Sequence, residues 1–156
     1  MTKEQLIKQL KGNYKRAKKY RITHDQRIKF ERLYDCFENI GELETKKTEG
    51  LMIKGLKENQ NEVKAIFEEM LNNNDFCDTL KTLKNYSPIV NNTREAQEVI
   101  ISDEKDFNTI IDVLYTIRNN LRHGKKEYTQ RSEAILRVTN RIFEKIVFGA
   151  RLKYLS

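Results

Sequence analysis

Six apolar residues, Phe107, Ile110, Ile111, Leu114, Ile117 and Leu121, recur at three- and four-residue spacing with mostly polar residues between them. That period lays one apolar stripe along an α-helix and does not suit a strand. The same spacing returns in Phe30, Leu33, Tyr34, Phe37 and Ile40, and again in Val63, Ile66, Phe67 and Met70. One proline and six glycines in 156 residues leave few points at which such segments must break. The chain therefore reads as all-α, a single antiparallel helical bundle of about five helices, in one domain over residues 1–156. No repeat, low-complexity tract or linker divides it.

Local signals set the expected boundaries. Residues 1–22 read as a basic N-terminal helix or loose arm with Leu6, Ile7 and Leu10 as a modest apolar face. Thr23, with Gln26 three residues on, forms a capping-box pattern for a helix that Gly41 should stop. Glu42 to Gly55 is polar and punctuated by glycine, so it reads as a connection before a helix over Leu56–Leu71. The Asn72-Asn73-Asn74 triplet ends that helix, and Asp75 can cap a short one carrying Phe76, Leu80 and Leu83. Ser87-Pro88 closes it, and a loop with Asn91 and Asn92 leads to a brief helix ending near Ile101. Ser102 then caps the long helix of the 107–121 stripe, with Asp103 and Glu104 in its first turn and Gly124 as its stop. A last helix from about Glu127 to Leu152 should bury Ile135, Val138, Ile142 and Ile146. Arg137, Arg141 and Lys145 line its flank.

The formal charge is +7 and is unevenly spread. Residues 1–34 hold 11 Lys/Arg against 3 Asp/Glu, residues 35–117 hold 9 against 17, and residues 118–156 hold 10 against 3. Basic ends around an acidic middle suit a polyanionic partner, nucleic acid being the commonest, or else internal pairing of opposite charges. Cys36 and Cys77 sit within apolar helical patterns, as buried reduced thiols of a cytoplasmic protein would. No apolar run approaches the roughly 20 residues needed to cross a bilayer, and the polar N-terminus lacks the apolar core of a secretory signal, so no membrane partner is expected.

The stretch Tyr115-Thr-Ile-Arg-Asn-Asn-Leu-Arg-His-Gly-Lys-Lys126 concentrates the chemistry. On an ideal helix Arg118 lies about 40° from Leu114, at the edge of the apolar stripe. A permanent charge there is costly unless an anion or an acceptor meets it. His123 lies roughly 140° further round, so the two side chains diverge within one straight helix. They converge if the helix loosens before Gly124, or if two copies of the segment meet across a dimer axis. Two arginines and two histidines would suit cleavage of RNA, whose 2′-hydroxyl lies beside a phosphodiester. A neutral imidazole takes the hydroxyl proton, an imidazolium protonates the leaving 5′-oxygen, and a guanidinium fork binds the phosphate. No metal or other cofactor is called for, and the two histidines, His24 and His123, are far apart in the chain with no zinc-ligand spacing. His24, in the cap region, reads as a surface residue.

Arg-Asn-Asn-Leu-Arg-His-Gly-Lys resembles the Arg-x(4–6)-His signature of the HEPN superfamily, including the polar residue after the arginine. The form Arg-Asn-Asn-Leu-x-His-Gly-x-Lys is especially similar to the Apea-like HEPN domains. The likeness is sharp over about ten residues and elsewhere architectural: the motif ends the penultimate long helix of an all-α chain. The resemblance implies a metal-independent endoribonuclease, a homodimer with a composite active site, and products bearing a 2′,3′-cyclic phosphate and a 5′-hydroxyl. It also implies a role as a toxin or in antiviral defence, with an antitoxin or other protein partner. Carried over residue by residue, Arg118 binds and polarises the phosphate, His123 is the acid/base group, and Asn119 orients the histidine or the scissile phosphate. Lys125 and Lys126 contact the RNA backbone. The tyrosine that some HEPN toxins carry two residues after the histidine is Lys125 here, with Tyr128 the nearest that follows. Arg122 stands where an apolar residue is common and adds to the RNA-binding set, which also takes in Arg137 and Arg141.

The main alternative is a catalytically inactive HEPN module that binds RNA, a nucleotide or a protein partner. A plain DNA-binding protein fits less well, because the basic helices lack helix-turn-helix spacing.

Overall fold

The computed structural model describes residues 1–90, 97–123 and 128–155, and it is an all-α bundle. Its helices are α1 (Lys3–Lys19), α2 (Gln26–Thr45), α3 (Glu49–Glu58), α4 (Glu62–Met70), α5 (Asn74–Lys84), α6 (Phe107–His123), α7 (Gln130–Ala150) and the four-residue α8 (Leu152–Leu155). Strands β1 (Ile89–Val90) and β2 (Glu98–Val99) pair antiparallel, with Ile89 opposite Val99. One continuous cluster of buried side chains draws on each of α1 to α7. At its centre Phe143 of α7 meets Phe30 and Phe37 of α2, with ring centroids 5.2 and 5.4 Å apart.

Residues 3–19 are a docked helix rather than a loose arm. The Gln5 N–H donates to Thr2 Oγ1 at 3.1 Å and the Thr2 N–H to Gln5 Oε1 at 2.8 Å, closing a capping box. Leu6, Leu10 and Ala17 are buried, and Asn39 of α2 bonds both Gln9 and Asn13 at 2.7 Å. Two buried leucines contribute roughly 2 kcal/mol each, more than the cap alone, so packing decides that α1 is fixed.

At the start of α2 the cap is Asp25, not Thr23. Its Oδ1 accepts from the N–H groups of Arg27 and Ile28 at 3.1 and 3.2 Å, while Thr23 Oγ1 accepts from Asp25 N. Gly41 does not stop the helix, which runs to Thr45 and closes on Lys46 in a left-handed conformation (φ 59°). Gly41 is there because α3 crosses close by: a Cβ at Gly41 would lie 2.2 Å from Met52 Sδ. Gly55 serves the same crossing, its would-be Cβ 3.0 Å from Thr45 Cγ2. The expected connection at 42–55 thus contains most of a helix, with Met52, Ile53 and Leu56 buried. The expected helix over Leu56–Leu71 is two, because Asn61 Nδ2 donates to the Leu56 and Asn59 carbonyls while its Oδ1 caps Lys64 N. These changes take the helix number beyond the expected five.

Asn73, rather than Asp75, caps α5, accepting from Phe76 N at 2.9 Å. Where a brief helix was expected up to Ile101, residues 98–99 form β2, consistent with the β-branched Val99-Ile100-Ile101 run. Ser102 does not cap α6, which starts at Phe107; Asp103 instead turns the lead-in, its Oδ1 accepting from Lys105 N at 2.9 Å. In α7 the buried face is turned from the expected one. Ile142 and Ile146 are buried as expected, but Ile135 and Val138 are half-buried, and Leu136, Thr139, Asn140 and Phe143 go inside. Asn140 Nδ2 donates to the Gln26 carbonyl and to Gln26 Oε1 at 2.9 and 3.0 Å, tying α7 to the start of α2.

The chain's last helix is fastened by one carboxylate. Glu44 of α2, 6% exposed, accepts from Glu62 N of α4 at 2.6 Å, from Lys153 Nζ at 2.9 Å and from the Tyr154 hydroxyl.

Candidate functional site

Buried Val113, Leu114, Thr116 and Ile117 fix the rotation of α6, and that rotation aims the motif. Arg118, half-buried, turns towards α2, its Cζ 5.9 Å from the ring centroid of Tyr34. One turn on, Arg122 places its Cζ 5.8 Å from the same ring. Tyr34 is 2% exposed, and burial first, then the Glu38 charge, pushes its phenol well above the usual range, so the ring is a neutral plate under two guanidiniums.

The two arginines differ in what holds them. Arg122 ion-pairs with Glu31 and Glu38 of α2, each at 3.4 Å. Asp35, between those two on α2, has its carboxyl pushed up by burial, with Arg32 and Arg122 opposing. Arg118 has no carboxylate partner among the described residues. Its Nη1 donates to Asn119 Oδ1 at 3.1 Å, and its buried Nε has no hydrogen-bond partner. A buried N–H of a charged group without an acceptor is unfavourable, and an incoming anion would relieve it.

Arg118 and Asn119 are therefore brought together. His123 is exposed at the end of α6, and because the helix continues through it, its side chain leaves about 140° away from Arg118. The helix does not loosen ahead of His123 here, so it does not bring the two together. Gly124, Lys125 and Lys126 lie outside the described residues. Arg137 and Arg141 are exposed on α7, and Arg137 pairs with Glu133 at 3.2 Å. Among the described residues no hydrogen bond or ion pair joins either to the α6 motif. His24 is exposed, Cys36 is buried with its thiol pushed up to about 12 mainly by desolvation, and Cys77 is half-buried.

A cavity of about 440 Å³ opens on the neighbouring face of α6, between it, β1 and the start of α7. Ile117, Leu121 and Leu136 give it an apolar floor, and Arg27, Asn120 and Arg131 give it polar walls. Asn120 Nδ2 donates to the Val90 carbonyl at 2.8 Å, which braces the motif against β1. Arg27 stacks 4.6 Å from the Tyr128 ring centroid, and Arg131 donates to the Tyr86 carbonyl at 2.6 Å. Sequence reading passed over Arg27 and Arg131, since the walls come from three separate segments and no local pattern links them.

Among the described residues no group of three or more His, Cys, Asp and Glu could hold a metal ion. Nor is any helix among them long and apolar enough to cross a membrane. The chain matches no protein-family model, and neither a curated protein nor a solved structure matches it at a significant level.

Proposed function

We propose that the chain is a metal-independent endoribonuclease whose site is completed by a second copy of itself. The observation that carries this reading is the Arg118–Asn119 pair: a half-buried guanidinium without a carboxylate partner among the described residues, beside a helix end that presents His123 to solvent. Arg118 binds the scissile phosphate through its planar fork and neutralises charge gathering on the phosphoryl oxygens. Asn119 holds that fork in place. Neutral His123 accepts the 2′-hydroxyl proton as the 2′-oxygen attacks phosphorus. The bond to the 5′-oxygen breaks, and a protonated His123 of the second copy gives its proton to that oxygen. The products are a 2′,3′-cyclic phosphate and a 5′-hydroxyl, and the two histidines have exchanged protonation states. The divergence of Arg118 and His123 on one helix is the reason for two copies. The likeness of Arg118-Asn-Asn-Leu-Arg-His123 to the HEPN signature supports the same assignment and a place among toxins or antiviral defence proteins. Lys125 and Lys126 follow the motif directly and are assigned to the RNA backbone. Arg137 and Arg141 remain candidates for it, whereas the charge of Arg122 is already engaged by α2.

The test is cleavage of mixed cellular RNA in EDTA by the wild type and by His123→Ala, with end-group analysis. Cyclic-phosphate ends made by the wild type alone support the reading. RNA binding with no cleavage by either protein favours an inactive binding module instead.

A further inference from the structure

We infer that the outer face of α1 is a docking surface for the phosphate backbone of RNA, separate from the residues that cut it. Lys8, Lys11, Lys15, Lys18 and Lys19 are all exposed. At 100° per residue they fall within a stripe about 100° wide, and at 1.5 Å per residue they extend over roughly 16 Å. None of the five forms an ion pair with a carboxylate of the described residues. Other basic side chains do pair, Arg21 and Lys29 with Glu144, Lys57 with Asp112, Lys84 with Glu104 and Lys153 with Glu44. Five exposed cations therefore stand in one row that no carboxylate among the described residues neutralises. The one acidic residue of α1 is Glu4, in the first turn.

Two features select RNA over a lipid surface and over base readout. Leu6, Leu10 and Ala17, the apolar edge that a membrane-lying helix would insert, are buried in the bundle core. The two tyrosines of the segment are engaged internally, Tyr14 edge-on to Phe148 and 4.5 Å from the Arg151 Cζ, and Tyr20 beneath Arg32. What remains outside is charge without stacking surface, which binds phosphates regardless of sequence.

The identity of the polyanion rests on the ribonuclease reading, so the test separates the two. A full-length His123→Ala protein, alone or with Lys8, Lys11, Lys15, Lys18 and Lys19 all changed to Gln, is titrated with a labelled 30-nucleotide RNA across a salt series. The five-Gln protein should bind at least tenfold more weakly at 100 mM salt. Its log–log salt slope should be shallower by about 3.5, at roughly 0.7 per phosphate contact on a single strand. The matching five-Arg protein should bind as the parent does, and circular dichroism should show equal helicity in all three. Unchanged affinity and slope in a folded five-Gln protein overturn the inference. So does a loss seen with phosphatidylserine vesicles but not with RNA. If wild type cuts no RNA while the five-Gln change still weakens RNA binding, the ribonuclease reading fails and the docking surface stands.

Discussion

Arg118 and Arg122 occupy successive turns of α6 and lie at nearly the same distance from the Tyr34 ring, yet their surroundings differ. Arg122 faces a ladder of carboxylates on α2, Glu31, Asp35 and Glu38, and its charge is consumed in holding two helices together. Arg118 faces an amide and a ring, and its buried Nε has no hydrogen-bond partner among the described residues. Local sequence marks both as arginines of one motif. Only the partner helix tells the structural one from the one left available to an anion.

Changing each arginine in turn should separate them. Arg118→Ala should lower kcat/KM for RNA by about a thousandfold, the size of a lost fork in a charge-stabilising site, while the melting temperature shifts little. Arg118→Lys should recover little of that, because a point charge cannot replace the fork. Cleavage of a defined oligonucleotide, read beside a thermal melt, checks both; equal losses from Arg118→Ala and Arg122→Ala would erase the distinction. Arg122→Ala should show the opposite profile, with cleavage within a few-fold of wild type and stability down by about 1 kcal/mol in denaturant titration, since the pair is partly exposed and screened.

The smallest effect concerns Asp35. Burial raises its folded-state pKa above the unfolded value, so the folded protein holds this proton more tightly. Its contribution therefore favours the fold below the unfolded pKa and is lost as pH rises through the folded value. Asp35→Asn should slightly raise the melting temperature at neutral pH in the wild type and more so beside Arg122→Ala, where nothing on α6 offsets the carboxylate. A melt of the double variant no higher than that of Arg122→Ala would show that Arg122 serves only Glu31 and Glu38.

What the sequence made legible follows the same division between local and partnered features. The stripe of α6 and the break at Asn72–Asn74 were readable because one face of one helix meets one core. The helix class was readable for the same reason. The register of α7 was not, because it packs α2, α4 and α5 at once and buries Thr139 and Asn140, which an apolar-spacing rule counts as outside. Gly41 read as a helix stop and Gly55 as loop punctuation, but both mark where α2 and α3 touch. At the candidate site, Arg118 and His123 stood out by their place on the helix, and Asn119 entered through the resemblance to the HEPN signature. The Tyr34 plate and the Arg27 and Arg131 walls could not, since they come from remote segments.

The Glu44 clasp has a consequence for the order in which the fold assembles. Its donors on α8 lie 109 and 110 residues away in the chain, and they gain a partner only once α2 and α4 have placed Glu44 beside Glu62. Contacts of such long separation form after the folding barrier where a local nucleus precedes them. Tyr154→Phe should then leave the refolding rate unchanged and quicken unfolding, a φ-value near zero readable in a chevron plot. The clasp would act as a brake on opening, setting how long the native state lasts rather than how quickly it is reached.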